Sequence, residues 1–301
     1  SKGAVVSHNN LMATINGLHL AWEWTSNDTL LHVLPVFHVH GLIVAQFGAL
    51  HAGATSIWLS RFTPQLAEEA ILEHNISIMM AVPTLYHRIL ASEFFQRKAV
   101  TAVRLFTSGS APLSEAAHQA FQKRTGHVIL ERYGMTEVGI VLSNPYRGVR
   151  RAGTVGFPVS GAEIRIMNPE TGQECPTGEA GEIWIHGPSV ISGYLRRPKQ
   201  SAEAIVTGWL KSGDLGLLDH DGYYRIVGRL KDMIISGGEN VYPRAIEAVL
   251  LSYEEIDQAA VVGLNDPEWG ERVVAAVMSK HPVDIDALLA YCRERLAPWK
   301  R

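Results

Sequence analysis

The sequence predicts an α/β fold: a mostly parallel sheet flanked by helices, a small antiparallel β subdomain and a C-terminal α+β domain. Three patterns along the chain predict it. Up to about residue 150, short apolar runs alternate with helical segments, which is typical of parallel sheets. From 153 to 227, polar and apolar residues alternate between frequent Gly and Pro turns, as in half-buried strands. After Gly228, helices and strands mix again.

The first half of the chain supplies the strands of the predicted parallel sheet. The apolar stretch 41–59 predicts a core helix, a turn and a strand, because Gln46, His51 and glycines within it argue against a membrane span. Buried strands are also predicted at short apolar runs, at 76–82, 103–107 and 128–130.

Local signals mark the helices between these strands. Thr63 is a side chain suited to cap a helix start. A second helix is predicted over 85–95, just after Pro83, since proline suits the first turn. Ser114 is expected to cap a third helix, which Gly126 ends.

The second half is predicted to form two smaller units. Alternating strands at 163–166 and 182–185 place a β-rich subdomain at about 150–228, within a large N-terminal domain of residues 1–228. Residues 229–301 are predicted to form a small C-terminal domain. Its expected helices and strands are 243–251, 259–263, 272–278 and 284–296.

Composition excludes several classes of function. The 301 residues carry 27 basic and 30 acidic side chains without a basic run, so nucleic acid is not an expected partner. The two cysteines, Cys175 and Cys292, make neither a disulfide framework nor a zinc site. With no signal peptide or membrane span in the sequence, a cytoplasmic location is predicted. A mitochondrial location stays open because the chain does not begin with Met.

Four short motifs carry the chemistry. Thr136 offers a hydroxyl to a phosphate, and Glu137 can hold Mg²⁺, a cation that prefers carboxylate oxygen and substrate phosphates. Asp214 can accept both hydroxyls of a ribose. Together the motifs indicate an enzyme that activates a carboxylic acid with ATP. They are Tyr-Gly-Met-Thr-Glu at 133–137, Lys-Ser-Gly-Asp at 211–214, Gly-Arg-Leu-Lys-Asp at 228–232 and Ser-Gly-Gly-Glu-Asn at 236–240.

With these motifs, the sequence resembles the adenylate-forming acyl-CoA synthetases of the AMP-dependent synthetase/ligase superfamily. Within that family, segments 129–137 and 143–146 are most similar to malonyl-CoA synthetases. The resemblance implies that the protein uses ATP and Mg²⁺ as cofactors and CoA as a substrate. The implied partner is a small carboxylic acid. The oligomeric state stays open.

The resemblance also implies which residues bind the nucleotide. Ser110, Ala111 and Pro112 form the expected adenine wall, and Tyr133 is expected to stack on the base. Lys2, Thr136 and Glu137 are the implied catalytic residues, with Glu137 as the metal ligand. The whole implied nucleotide site is Ser110, Ala111, Pro112, Glu131, Arg132, Tyr133, Gly134, Met135, Thr136, Asp214 and Arg229.

Arg88 is the residue that predicts a dicarboxylic substrate. It ends a Val-Pro-Thr-x-Tyr-x-Arg match to malonyl-CoA synthetases, and guanidinium grips carboxylate bidentately. An Arg that only covers surface with its stem is the alternative. His38 is a further candidate for the acyl pocket, and His40 a weaker one. The implied substrate residues are His38, Arg88, Ser110 and Met135.

The C-terminal domain is expected to be mobile, because family members rotate it between the two half-reactions. Lys231 falls at the implied hinge, and a few element-terminal residues absorb such rotations. A glycine-rich loop would then line the channel for the thiol arm of CoA, although glycines also suit an ordinary flexible loop. Its residues are Ser236, Gly237, Gly238 and Glu239.

The predicted reaction joins malonate to CoA through malonyl-adenylate, with AMP and pyrophosphate as products. The same fold acting on methylmalonate, a fatty acid or an aryl acid is one alternative. The resemblance further implies a fragment: Lys2 and Gly3 match only the tail of a phosphate loop, and a second family Lys falls past the C-terminus. An inactive nucleotide-binding protein is therefore the other alternative, and this piece alone is expected to be poorly active.

Overall fold

The computed structural model describes residues 2–279 and 281–296. Residues 297–301, at the end of the predicted C-terminal domain, lie outside them. The largest sheet has seven strands in the order β2-β1-β3-β4-β5-β6-β7. They are β1 (Thr29–His32), β2 (Thr55–Trp58), β3 (Ile78–Ala81), β4 (Leu105–Ser108), β5 (Leu130–Met135), β6 (Gly139–Ser143) and β7 (Phe157–Pro158).

The first five strands of this sheet pair in parallel, which confirms the predicted class. The last two, β6 and β7, pair antiparallel. Strand β5 extends further than the sequence predicted: the apolar run ends at Leu130, but the strand continues to Met135. Its antiparallel partner β6 supplies the additional hydrogen bonds, which the sequence pattern does not reveal.

Five helices accompany this sheet within the described residues, together with a π-helix, His40–Phe47, that runs into α2. The Ser114 and Thr63 hydroxyls cap their helices by accepting N–H groups, as predicted. Gly126 ends its helix in the left-handed conformation. The α-helices are α1 (His8–Trp22), α2 (Gly48–Ala52), α3 (Pro64–His74), α4 (Pro83–Leu90) and α5 (Glu115–Thr125).

The predicted end of α4 near Phe95 is wrong, since the helix stops at Leu90. The guanidinium of Arg124 donates to the Leu90 carbonyl at 2.8 Å and to the Ile89 carbonyl at 2.7 Å. Phe95 has a φ of 61°, which a helix cannot continue through. A tertiary contact therefore ends a helix that local propensity would extend.

The remaining strands form two antiparallel sheets. The middle sheet has the predicted alternation of polar and apolar residues. Helix α6 (Pro198–Ala204) lies between two of its strands in the sequence. The strands of the middle sheet are β8 (Glu163–Met167), β9 (Gly181–His186), β10 (Ile205–Val206), β11 (Trp209–Leu218) and β12 (Tyr224–Arg229). The third sheet has the order β14-β13-β16-β15. Its elements are β13 (Ile234–Ser236), β14 (Glu239–Val241), α7 (Pro243–Leu251), β15 (Gln258–Asp266), β16 (Gly270–Met278) and α8 (Ile285–Arg295).

Each sheet has its own apolar core, and a buried ion pair anchors the largest one. Asp28, only 3% exposed, accepts two bonds from Arg104, at 2.7 and 2.8 Å. The Ser77 hydroxyl and the Thr25 N–H also donate hydrogen bonds to this carboxylate. This paired geometry holds the start of β1 to the chain entering β4.

Among the described residues, no helix is long and apolar enough to cross a membrane.

Candidate active site

A cavity of about 610 Å³ lies at the carboxyl ends of β4 and β5, where ligands bind in open α/β sheets. One wall comes from the largest sheet and from the ends of β11 and β12. The opposite wall comes from the C-terminal sheet and α7. The predicted nucleotide residues that line it are Ser110, Ala111, Pro112, Glu131, Arg132, Tyr133, Gly134, Met135, Asp214 and Arg229.

Asp214 is held from two sides at the edge of this cavity. The Tyr133 hydroxyl donates to its Oδ2 at 2.6 Å, and Arg229 Nε lies 3.1 Å from its Oδ1. Burial, together with the nearby Asp214 charge, raises the pKa of Tyr133 well above its usual value, so the phenol keeps its proton as a donor. The carboxylate is thus oriented toward the cavity, as a ribose-binding acid requires.

Glu131 lines the cavity, but its carboxylate already has protein partners. Its Oε1 lies 2.9 Å from Nδ1 of buried His118 and accepts the Gly153 N–H at 3.1 Å. These contacts join β5 to α5. The side chain of Glu131 therefore shapes the site, and the sequence contained no signal for the His118 contact.

Arg132 is a buried cation without a partner. It is 4% exposed, and its Nε and Nη2 have no hydrogen bond within the described part of the chain. Burial alone lowers its pKa to about 9. A Cβ on Gly109 would lie 2.5 Å from the Arg132 Cζ, so only glycine leaves room for the guanidinium.

Further unsatisfied polar atoms accompany Arg132. The hydroxyls of Thr107 and Ser108 and the Nε2 of His40 are also buried without a partner. His40 faces the Arg132 charge, and burial first, then that charge, hold its pKa well below the usual value. A buried cation beside orphaned donors indicates that a ligand supplies an anionic group here.

The structure places His40, and not His38, beside the predicted adenine wall. His40 Nδ1 lies 3.4 Å from the Ser110 hydroxyl, and the His40 ring is 5% exposed. His38 is exposed and packs its ring against Phe37. The two histidines lie in different environments because the π-helix begins at His40, whereas His38 precedes it.

A second cluster joins the predicted catalytic residues Lys2 and Glu137 through Tyr194. The Tyr194 hydroxyl donates to Glu137 Oε1 at 3.0 Å, and the Lys2 Nζ lies 4.7 Å above the Tyr194 ring. Burial and Glu137 raise the pKa of Tyr194 to about 12, so it remains a donor. Thr136 is exposed on the same turn. Tyr194 was not recognised from the sequence, because it lies outside every motif.

The donors of this cluster fit a magnesium ion that is shared with substrate. Across residues 2–279 and 281–296, no three His, Cys, Asp or Glu side chains form a metal cluster. Mg²⁺ usually takes one or two carboxylates and completes its shell with phosphates and water. Glu137, oriented by Tyr194, is such a carboxylate.

Of the other predicted residues, Lys231 lines the cavity, whereas Arg88 and the predicted CoA loop lie outside the lining. Arg88 is exposed in the last turn of α4. Lys231 lines the cavity, in a 3₁₀ turn after β12, with 72% of its side chain exposed. The predicted CoA loop forms the β13–β14 hairpin, outside the lining, with Ser236 paired to Glu239 and Gly237 bonded to Trp269. The hinge and channel roles stay predictions.

Known proteins are similar to this chain in sequence and in fold. Residues 1–195 match the family described as AMP-binding enzyme, and residues 245–301 match its C-terminal domain. Malonate–CoA ligase ACSF3 of Mus musculus, named as mitochondrial, is 36% identical over 99% of this chain and 57% of its own length. Feruloyl-CoA synthase of an Amycolatopsis species is 35% identical over 99% of this chain and 61% of its own.

The solved structures agree. ATP-bound MatB of Rhodopseudomonas palustris superposes with a TM-score of 0.96 and 39% identity, over all of this chain and 60% of that one. The chain thus spans less than two thirds of the length of these relatives. By sequence and by structure, it belongs to the family of AMP-binding enzymes.

Proposed function

We propose that this protein is an ATP-dependent acid–CoA ligase whose acid is malonate. The observation that carries the choice of acid is the buried, unpaired guanidinium of Arg132 in the cavity wall. Two relatives support the class of reaction, since they are named malonate–CoA ligase and feruloyl-CoA synthase.

A second carboxylate on the substrate would satisfy Arg132. Leaving a buried cation uncompensated is costly, and a carboxylate accepts a guanidinium through two parallel bonds. Ser110 lines the same cavity, and its hydroxyl, which lies 3.4 Å from His40 Nδ1, can donate to that carboxylate. Fatty and aryl monocarboxylates have no second charge to offer. Arg132 is therefore proposed to bind the second carboxylate, and Arg88, to which the sequence assigned that role, is the alternative.

The proposed reaction has two half-reactions, and groups of this chain would serve the first. One malonate oxygen attacks the α-phosphorus, the bond to pyrophosphate breaks, and malonyl-AMP forms. The thiolate of CoA then attacks the acyl carbon, and AMP leaves. Asp214 would hold the ribose, Thr136 would donate to a phosphate oxygen, and Glu137 would bind Mg²⁺, which neutralises charge on the phosphates.

Methylmalonate is the alternative that keeps the same recognition, because it also has two carboxylates. An aryl acid is the other alternative, motivated by the similarity to a feruloyl-CoA synthase. The cytoplasmic location predicted from the sequence is proposed beside a mitochondrial one, since the murine relative is named as mitochondrial. Fluorescent tagging of the whole protein in its own cells would decide between the two.

The direct test is binding of acyl sulfamoyl adenosines, which are stable mimics of acyl-adenylates. Malonyl, methylmalonyl, propionyl and feruloyl versions would be titrated into the chain by calorimetry. We expect the two dicarboxylates to bind about 30-fold or more tightly than propionyl, as for a buried charge pair. Equal affinities for malonyl and propionyl would refute the malonate assignment. Thioester formation with the same acids gives the parallel activity test.

A further inference from the structure

Arg244 reaches the cavity from the C-terminal wall, whereas Tyr133 and Asp214 line the wall of the larger sheet. It is the second residue of α7, is partly buried, and lines the cavity together with Glu247 of the same helix. No motif of the sequence pointed to it. The C-terminal domain thus contributes a cation to a site whose recognised residues come mainly from the larger part of the chain.

The other cations of the lining are accounted for. Arg229 pairs with Asp214 at 3.1 Å, and Lys231 lies 4.0 Å from Asp232. Arg132 packs against Gly109 and is the residue proposed above to bind the substrate's second carboxylate. Arg244 has no ion pair or side-chain hydrogen bond with any residue that the structure describes.

The acids facing Arg244 are committed elsewhere. Glu247, Asp214 and Glu131 all act on its charge from a distance, while burial lowers its pKa. Yet Glu247 accepts the Val261 N–H at 3.0 Å. Asp214 and Glu131 have the protein partners described above, from Tyr133 and Arg229 and from His118 and Gly153.

Glu271, a further acid of this lining, is also engaged, because its Oε2 accepts the Ile235 N–H at 2.8 Å. The guanidinium of Arg244 is therefore partly desolvated and faces the cavity, with Glu247 acting on its charge but no described carboxylate in ion-pair contact with it. The sites of Asp214 and of Arg244 share this cavity, so a nucleotide whose ribose meets Asp214 brings its phosphate within the same space.

We propose that Arg244 binds the phosphate of the adenine nucleotide in this cavity. The planar guanidinium fork matches phosphate oxygens, and phosphate is the anionic group that an adenine nucleotide carries. The inference rests on the proposed nucleotide-dependent function.

The test compares AMP with adenosine by calorimetry on the chain and on the variants Arg244→Gln and Arg244→Ala. Loss of one charge-assisted contact should weaken AMP binding about 10- to 100-fold and leave adenosine within about twofold. Arg272→Ala is the matched control. It removes an exposed cation of strand β16 in the C-terminal sheet, outside the cavity lining, and should leave both affinities unchanged.

Three results would overturn the proposal. Equal losses for AMP and adenosine would mean that Arg244 contacts the base or only supports the fold. Unchanged AMP affinity in both variants, or no AMP binding by the unsubstituted chain, would also refute it. Thermal melting checks that each variant folds. If AMP binding depends on Arg244 but malonyl and propionyl adenylate mimics bind alike, the malonate assignment fails and the Arg244 assignment stands.

Discussion

The two walls of the cavity differ in how firmly their polar groups are held. On the large-sheet wall, Arg132 and Asp214 are 4% and 8% exposed, and Asp214 has donors on both sides. On the C-terminal wall, Lys231 is mostly exposed and Arg244 has no paired acid within the described chain. We call the large-sheet wall the organised wall, because burial and, at Asp214, hydrogen bonds hold its polar groups, whereas those of the C-terminal wall are more exposed or less paired.

The largest expected effect is on the organised wall. Arg132→Met keeps volume but removes the buried charge, and should cut the preference for malonyl over propionyl adenylate mimics about 30-fold to 1,000-fold. Arg88→Ala is the comparison, and calorimetric titration of both mimics is the measurement. If Arg88→Ala abolishes the preference and Arg132→Met does not, the exposed residue and not the buried one recognises the second carboxylate.

The next effect concerns the scaffold behind that wall. Burial raises the pKa of Asp28, but the bonds from Arg104, Ser77 and Thr25 outweigh it and lower the pKa from 3.8 to about 2. A depressed carboxyl pKa contributes stability above pH 3.8 that is lost as pH falls toward 2. The contribution is about 2 kcal/mol. Urea unfolding at pH 7, pH 3 and pH 2 measures it, with only part of the loss expected by pH 3.

Asp28→Asn should remove that pH dependence and lower stability at pH 7. The exposed pair of Arg147 with Glu23 is the control, since solvent-exposed ion pairs contribute little to stability. If Arg147→Ala destabilises the chain as much as Asp28→Asn does, burial is not what makes the Asp28 pair important.

A smaller effect is expected at the ribose contact. Tyr133→Phe keeps the ring but removes the 2.6 Å bond to Asp214, and should weaken AMP binding about 10-fold. The ribose hydroxyls are proposed to bind the oriented carboxylate of Asp214. The substitution should therefore reduce the affinity for 2′-deoxy-AMP less than the affinity for AMP. Parallel titrations of both nucleotides measure this. An equal loss for both would show that the phenol acts by stacking or packing alone.

The smallest effect on nucleotide affinity is expected on the C-terminal wall. Lys231→Pro should change AMP binding by less than about twofold, while stiffening the backbone at the predicted hinge. In the whole enzyme, adenylate formation and thioester formation would then be timed separately. Selective loss of the second step supports the hinge, and equal loss of both steps contradicts it.

Much of the fold follows from local sequence signals. Ser114 and Gly126 delimit α5 as predicted, because a hydroxyl cap and a left-handed glycine act within a few residues of the chain. The parallel sheet was predictable because short apolar runs alternate with helical segments along the chain. The end of α4 was not, since Arg124 and Phe95 decide it through contacts distant in sequence.

The sequence by itself determined the family and predicted a nucleotide site, most of whose residues line one cavity, because each motif is a contiguous run whose residue types suit phosphate, ribose and magnesium. Only the tertiary structure decided which charges are paired. The Tyr133–Asp214 bond spans 81 positions, and the isolation of Arg132 and Arg244 depends on what every neighbouring element supplies. Pairing is a property of packed three-dimensional surroundings, and no local pattern of residues encodes it.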